Sequence, residues 1–122
     1  MLCKVLAMEE APTPRAQWLR GVLDMCLLAL MAEAPVYGYE MTVRLAEAGL
    51  DVADGSIYPA LARLRKRELV EVERRSGDGG PARTYYSPSQ AGLQMLRSWG
   101  RDWSEFATSI GSIISQTTRE ES

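Results

Sequence analysis

Apolar residues recur at three- and four-residue steps near the start of the chain, with Trp18, Val22, Met25, Cys26 and Ala29 on one side of a helix expected over residues 16–34,. The pattern then saturates, because from Val22 to Ala32 only Asp24 is polar. A helix that is apolar nearly all round needs cover on more than one face. In so small a chain the second cover is expected from another subunit. Ala34 and Pro35 end this helix. A second is predicted over residues 37–48, with Met41, Leu45 and Ala48 inward and Gly49 as its terminator. Asp54 is placed to cap a third, reaching Glu68, whose Ile57, Leu61 and Leu64 face the core with Leu69 closing the end. Pro59 stands near its first turn, where a slight kink is expected.

Two short strands are predicted over residues 70–75 and 82–86, around the turn sequence SGDGGP,. The segment SPSQ, residues 87–90, opens a last helix running to about Ser115. Ser87 with Gln90 fits a capping box, with Pro88 at the first helical position; Ser89 is the alternative cap. The predicted fold is mainly α with a small β-hairpin. It comprises an N-terminal arm (residues 1–15, open to disorder), a winged helix-turn-helix (16–87) and a long C-terminal dimerisation helix (88–122).

The last helix carries Leu96, Trp99, Trp103, Phe106, Ile110 and Ile113 at steps of three and four, a heptad seam. The glycines, serines and threonines between them are poor to middling helix formers, so this helix needs a partner surface. With Trp18 and Val22 of the first helix, these residues form the expected homodimer interface. Trp99 and Trp103 sit one turn apart. In a symmetric dimer four indoles either line a central cavity or pack the interface.

Charge and chemistry narrow the function. The chain has 122 residues, a net charge of −2 and no histidine. The absent imidazole removes the commonest general base and metal ligand and every Ser-His or Cys-His pair. The glycines match no phosphate-binding loop. We therefore expect no enzyme, no catalytic residues, no metal and no cofactor. No apolar run approaches the ~18 residues of a membrane span, and Cys3 and Cys26 do not resemble a disulfide framework. A cytoplasmic protein without a membrane partner is expected.

Residues 54–83 depart from the acidic average, with seven cations (Arg63, Arg65, Lys66, Arg67, Arg74, Arg75, Arg83) against five anions. The third helix turns Ser56, Pro59, Ala60, Arg63, Lys66 and Arg67 away from the expected core. Small residues followed by cations suit a helix lying in a DNA major groove. A solvated surface looks similar, so a winged-helix protein-interaction module without DNA binding is the alternative.

The sequences VYGYEM (36–41), DGSIYPALARLRKRELV (54–70), GGPARTYY (79–86) and SQAG (89–92), in this order, resemble a PadR-family transcriptional regulator of the small subfamily with one C-terminal helix. The resemblance covers roughly residues 18–115. It implies a dimeric winged-helix protein that binds a double-stranded DNA operator, usually as a repressor, and is often released by a small planar aromatic effector. By position it implies that Tyr37 and Gly38 lie against phosphate, that Ser56 and Tyr58 meet DNA from the third helix, and that Arg83 contacts backbone or minor groove. It also suggests Trp99 and Trp103 as the effector site. Asp54 stands where the family commonly has proline, and Thr84 where it often has a basic residue.

Overall fold

The computed structural model describes residues 14–53, 55–77 and 79–121. Helix α1 spans Pro14–Glu33 and is followed by a two-residue strand β1 (Val36–Tyr37), α2 (Gly38–Glu47), α3 (Ile57–Lys66), β2 (Val70–Gly77), β3 (Gly80–Pro88) and α4 (Gln90–Glu121). The expected N-terminal arm lies outside the described residues except for Pro14 and Arg15, which begin α1. The strands form one antiparallel sheet in the order β1-β3-β2. Strand β1 was not expected. Val36 and Tyr37 pair with Tyr86 and Tyr85, and two residues between Pro35 and a helix are too few to show a period-2 pattern.

The core gathers Leu27, Leu28 and Met31 of α1, Met41 and Leu45 of α2, Ile57, Ala60, Leu61 and Leu64 of α3, and Leu69 and Val70 at the entry to β2. No polar or charged residue is buried among those described. Two sequence readings are corrected here. Ala48, expected inward, is exposed, because α2 ends at Glu47 and turns away. Ala60, expected outward, is fully buried. The inward face of α3 is therefore Ile57–Ala60/Leu61–Leu64, rotated from the one read from Ile57, Leu61 and Leu64 alone.

Helices α2 and α3 terminate alike. Leu50 N–H donates to the Leu45 carbonyl oxygen and Gly49 N–H to that of Ala46, with Gly49 at φ 89°. After α3, Leu69 N–H donates to Leu64 and Glu68 N–H to Arg65. Both are paired 6→1 and 5→2 closures with a left-handed residue between. In the second that residue is Glu68, at φ 60°, a conformation that costs a non-glycine residue roughly 1–2 kcal/mol. Since α3 begins at Ile57, Pro59 is its third residue. First-turn amides have no intrahelical partner, so the proline forfeits no hydrogen bond and the expected kink has no cause.

The start of α4 is anchored on this turn. The Ser89 hydroxyl accepts a hydrogen bond from Gly92 N–H at 3.0 Å and donates one to the Glu68 carbonyl oxygen at 2.8 Å. Ser89 N–H donates to the Leu69 carbonyl oxygen at 3.0 Å. Ser89, not Ser87, is the cap; Ser87 is spent in β3, paired with Glu71. Gly92 lies against the same turn, and a Cβ there would collide with the Leu69 carbonyl oxygen, with Leu28 Cδ2 3.5 Å away. From this joint α4 extends over 32 residues, ~48 Å at 1.5 Å per residue. It packs along α1, with Leu96 and Trp99 on the core of their own chain.

Because the colliding atom at Gly92 is backbone, it cannot swing aside. Gly92→Ala is expected to destabilise the fold by at least the ~1–3 kcal/mol of ordinary overpacking. Urea unfolding followed by circular dichroism measures this. An unchanged midpoint would show that α4 is not seated on the Leu69 turn.

Candidate nucleic-acid interface

Four of the expected DNA contacts come together at one corner of the molecule. Tyr58, on the first turn of α3, projects over the start of α2. A Cβ on Gly38 would lie 2.8–2.9 Å from three outer atoms of its ring. Glycine at 38 therefore leaves room for the phenol, which remains 59% exposed. Next to Gly38, the Tyr37 ring supports the Arg83 guanidinium 4.6 Å from its centroid. Tyr37 also meets Tyr85 edge to face, centroids 5.6 Å apart. Tyr58, Gly38, Tyr37 and Arg83 thus form a continuous surface joining the third helix to the wing. Ser56 lies at the N-cap position of α3, and its hydroxyl makes no cap hydrogen bond.

The cations of α3 divide into two pairs. Arg63 and Arg67, expected to face DNA, are turned toward α1 and α4. Arg63 donates to Asp24 from Nη2 to Oδ1 at 2.9 Å and from Nε to Oδ2 at 3.5 Å. These hydrogen bonds, reinforced by the aspartate charge, raise the arginine pKa above its ordinary value. Arg67 lies over the Trp99 ring, 5.4 Å from its centroid. The cause is the rotated helix face: Arg63 stands three residues after buried Ala60, and Arg67 three after buried Leu64, so both lie on the flank beside the core. Lys66, with Pro59 and Ala62, points directly outward and is exposed. Arg65, seven residues after Tyr58 and so on the same flank at 3.6 residues per turn, is exposed as well. Arg65 was not among the expected contacts, although its spacing from Tyr58 puts the two on one flank.

The wing adds to this surface. Arg75 lies over the Tyr85 ring, 4.6 Å from its centroid; neither residue was expected in the site. Arg74 donates to Thr84 Oγ1 at 3.3 Å. The cation lacking at position 84 is thus present on the paired residue of β2. Asp54, the other departure, lies outside the described residues.

The expected interface and effector residues surround a second feature. An open, mainly apolar cleft of about 1110 Å3 runs between α1 and α4, lined among others by Trp18, Val22, Trp99, Trp103, Phe106 and Ile110. Arg63 and Arg67 form part of its rim. Trp18 is 67% exposed, Phe106 58% and Trp103 42%, and Trp103 and Phe106 contact each other at 6.2 Å between centroids. The seam therefore has two parts. Leu96 and Trp99 cover their own core, while Trp103, Phe106, Ile110 and Ile113 remain uncovered. Ile113 is not among the cleft residues; Ile114 takes its place, since a straight helix drifts away from a strict seven-residue repeat. Cys26 is half-buried against the core, and burial raises its thiol pKa. Among the described residues no group of acidic, cysteine or histidine side chains is placed to hold a metal ion, and no helix is long and apolar enough to cross a membrane.

Comparison with known proteins agrees with this geometry. A PadR-like transcriptional regulator from Bacillus cereus is 35% identical, covers 80% of this chain and 96% of its own, and superposes with a TM-score of 0.73. A Streptococcus transcriptional regulator is 33% identical over 80% of this chain and 96% of its own, TM-score 0.72. An uncharacterized protein from Lysinibacillus sphaericus is 28% identical over 94 residues, 75% of this chain and 86% of the relative. The family of PadR-like transcriptional regulators matches residues 27–98. A winged helix with a long C-terminal helix, a third helix joined to its wing by one tyrosine-rich surface, and this match together place the chain in the PadR-like transcriptional regulator family.

Proposed function

We propose that this regulator binds a double-stranded DNA operator as a homodimer in the cytoplasm, represses transcription there, and releases DNA when a small planar aromatic effector occupies the cleft. The observation that carries the DNA reading is the continuous surface of Tyr58, Gly38, Tyr37 and Arg83, bordered by the outward cations Arg65 and Lys66. Ser56 and the first-turn amides of α3 suit a backbone phosphate. Lys66 and Arg65 suit base edges or phosphates further along the groove. Arg63 and Arg67 act from the cleft side, where Asp24 and Trp99 hold them. Their orientation subtracts two cations from the DNA face and is the one observation favouring a protein-interaction module instead.

The homodimer rests on the uncovered half of the α4 seam. Large aliphatic and aromatic side chains each gain ~1.5–3 kcal/mol on full burial, and Trp18, Phe106 and Ile113 stand largely in solvent, with Trp103 partly so. A second copy, related by a two-fold axis, would lay its own α1 and α4 on them. Its two α3 helices would then meet half-sites about 34–36 Å apart. The effector reading rests on the cleft itself, whose two indoles, Trp99 and Trp103, offer stacking faces.

For DNA, Lys66→Ala should weaken binding to every duplex and flatten the salt dependence by about one unit of log–log slope. Gly38→Ala should weaken it as much as Tyr58→Ala, because the added methyl displaces the phenol. Anisotropy titrations at several salt concentrations measure both. Wild-type affinity in all three variants would favour the protein-interaction module.

For assembly, Trp103→Glu places a charge in the uncovered seam and should yield monomer or aggregate, while the unaltered chain sediments as a dimer at micromolar concentration. A monomeric unaltered chain would remove the proposed interface.

For the effector, planar aromatic compounds should quench tryptophan emission, and the affinity read from this quenching should fall in Trp99→Phe and in Trp103→Phe, where Trp18, which lines the same cleft, still reports. Coupling of ~1–3 kcal/mol would weaken operator binding about 5- to 150-fold, and DNA must weaken the ligand equally. Quenching with the same affinity in the presence and absence of operator would show a binding cleft that is no switch.

A further inference from the structure

Like charges directly opposite each other on adjacent strands are destabilising. Strands β2 and β3 nevertheless pair Arg75 with Arg83, the last regular pair before the irregularity between Arg75 and Gly77. Both lie on the outer face of the sheet, with Tyr85 two residues from Arg83, in register with Tyr37 on one side and Glu73 on the other. The inner face, with Val36, Val70 and Tyr86, packs on the core.

Each guanidinium is stacked diagonally on a tyrosine of the neighbouring strand. Arg83 crosses from β3 to Tyr37 on β1, and Arg75 crosses from β2 to Tyr85 on β3, each 4.6 Å from the ring centroid. The two rings meet at 5.6 Å and 68°. Both arginines therefore lean by one strand in the same direction. They start from directly opposed positions, roughly 4.5–5.5 Å apart at Cα, and lie over the faces of two rings that touch each other. Cation–π attraction offsets the repulsion and holds each planar fork in place. Two planar guanidiniums presented from opposed positions on one sheet face suit the oxygens of a single tetrahedral phosphate,. In the free protein Glu73 Oε2 accepts a hydrogen bond from Arg75 at 3.3 Å; Arg83 has no carboxylate partner among the described residues.

We propose that Arg75 and Arg83 form a cross-strand clamp for one phosphate of the DNA backbone, with Tyr37 and Tyr85 as its positioning residues and Glu73 as a resident anion that the phosphate displaces. The clamp rests on the DNA-binding reading above and adds Arg75, Tyr85 and Glu73 to it. The carboxylate holds Arg75 in the free state and competes with DNA, so binding is weaker than the two arginines alone would give.

The test is a double-mutant cycle on the full chain, titrating a mixed-sequence duplex at several salt concentrations, with Lys66→Ala as an independent variant. Arg75→Ala and Arg83→Ala should each lose most of the clamp's contribution. The double variant should be little worse than either, with the salt slope flattened by about one unit, not two. Tyr85→Leu should weaken binding as Arg75→Ala does, and Tyr85→Phe, which keeps the ring, should restore it. Glu73→Gln should bind several-fold more tightly, a gain that a merely structural role would not produce. Additive arginine effects with a two-unit loss of slope, or equal binding by Tyr85→Leu and the unaltered chain, would overturn the clamp. If the duplex binds and Lys66→Ala weakens it, the DNA reading survives that failure. If the unaltered chain binds no duplex, both fall together.

Discussion

The turn at Glu68–Leu69 is the point on which the rest of the structure depends. It ends α3, opens β2 and receives α4, all through a few backbone atoms. The Leu69 amide closes the helix, while its carbonyl oxygen accepts the Ser89 amide and lies against Gly92. The Ser89 hydroxyl spans the same joint, from the Glu68 carbonyl oxygen to the Gly92 amide. The third helix, the wing and the long helix thereby keep a fixed relation without a buried polar side chain. The left-handed Glu68 is the local cost of that joint, and the apolar side chains converging on Leu64 and Leu69 offset it,.

This joint also explains how α3 serves two surfaces. Its inward face is locked by Ile57, Ala60, Leu61 and Leu64. One flank then meets the cleft, where Arg63 holds Asp24 of α1 and Arg67 covers Trp99 of α4. The opposite flank carries Tyr58, which reaches Gly38 at the start of α2, and the exposed Arg65. Arg63 and Arg67 thus connect α1 and α4 to the helix that carries the proposed DNA contacts. A regulator needs such a connection if an effector is to act at a distance. In the proposed switch, the differential affinity of a ligand for two arrangements would supply the energy.

The tyrosines on the outer side of the sheet do the corresponding work for the wing. A long arginine on a two-stranded ribbon samples many rotamers, and fixing it costs side-chain entropy. Stacking on Tyr37 and Tyr85 restrains Arg83 and Arg75 before any partner arrives. The short strand β1 is what brings Tyr37 into this arrangement, through its pairing with Tyr85.

Much of this was legible in the residues themselves. The steps of three and four, the breaks at Pro35 and Gly49, the turn around Gly79–Gly80 and the serine before α4 sufficed for the order of elements, because helix periodicity and turn chemistry are local. The specific strings VYGYEM and DGSIYPALARLRKRELV sufficed for the family. The tertiary structure decided the rest. Whether Ala60 faces in or out depends on how closely α3 approaches the core, which no alanine announces, and that rotation sent Arg63 and Arg67 to the cleft. The choice between Ser87 and Ser89 as cap depended on β3 claiming Ser87 for its pairing with Glu71. The stacking of Arg75 and Arg83 required strand register, which is set by pairing between segments about ten residues apart. Spacing along a chain determines which face of its own element a side chain occupies; what lies opposite that face is set only when the elements pack.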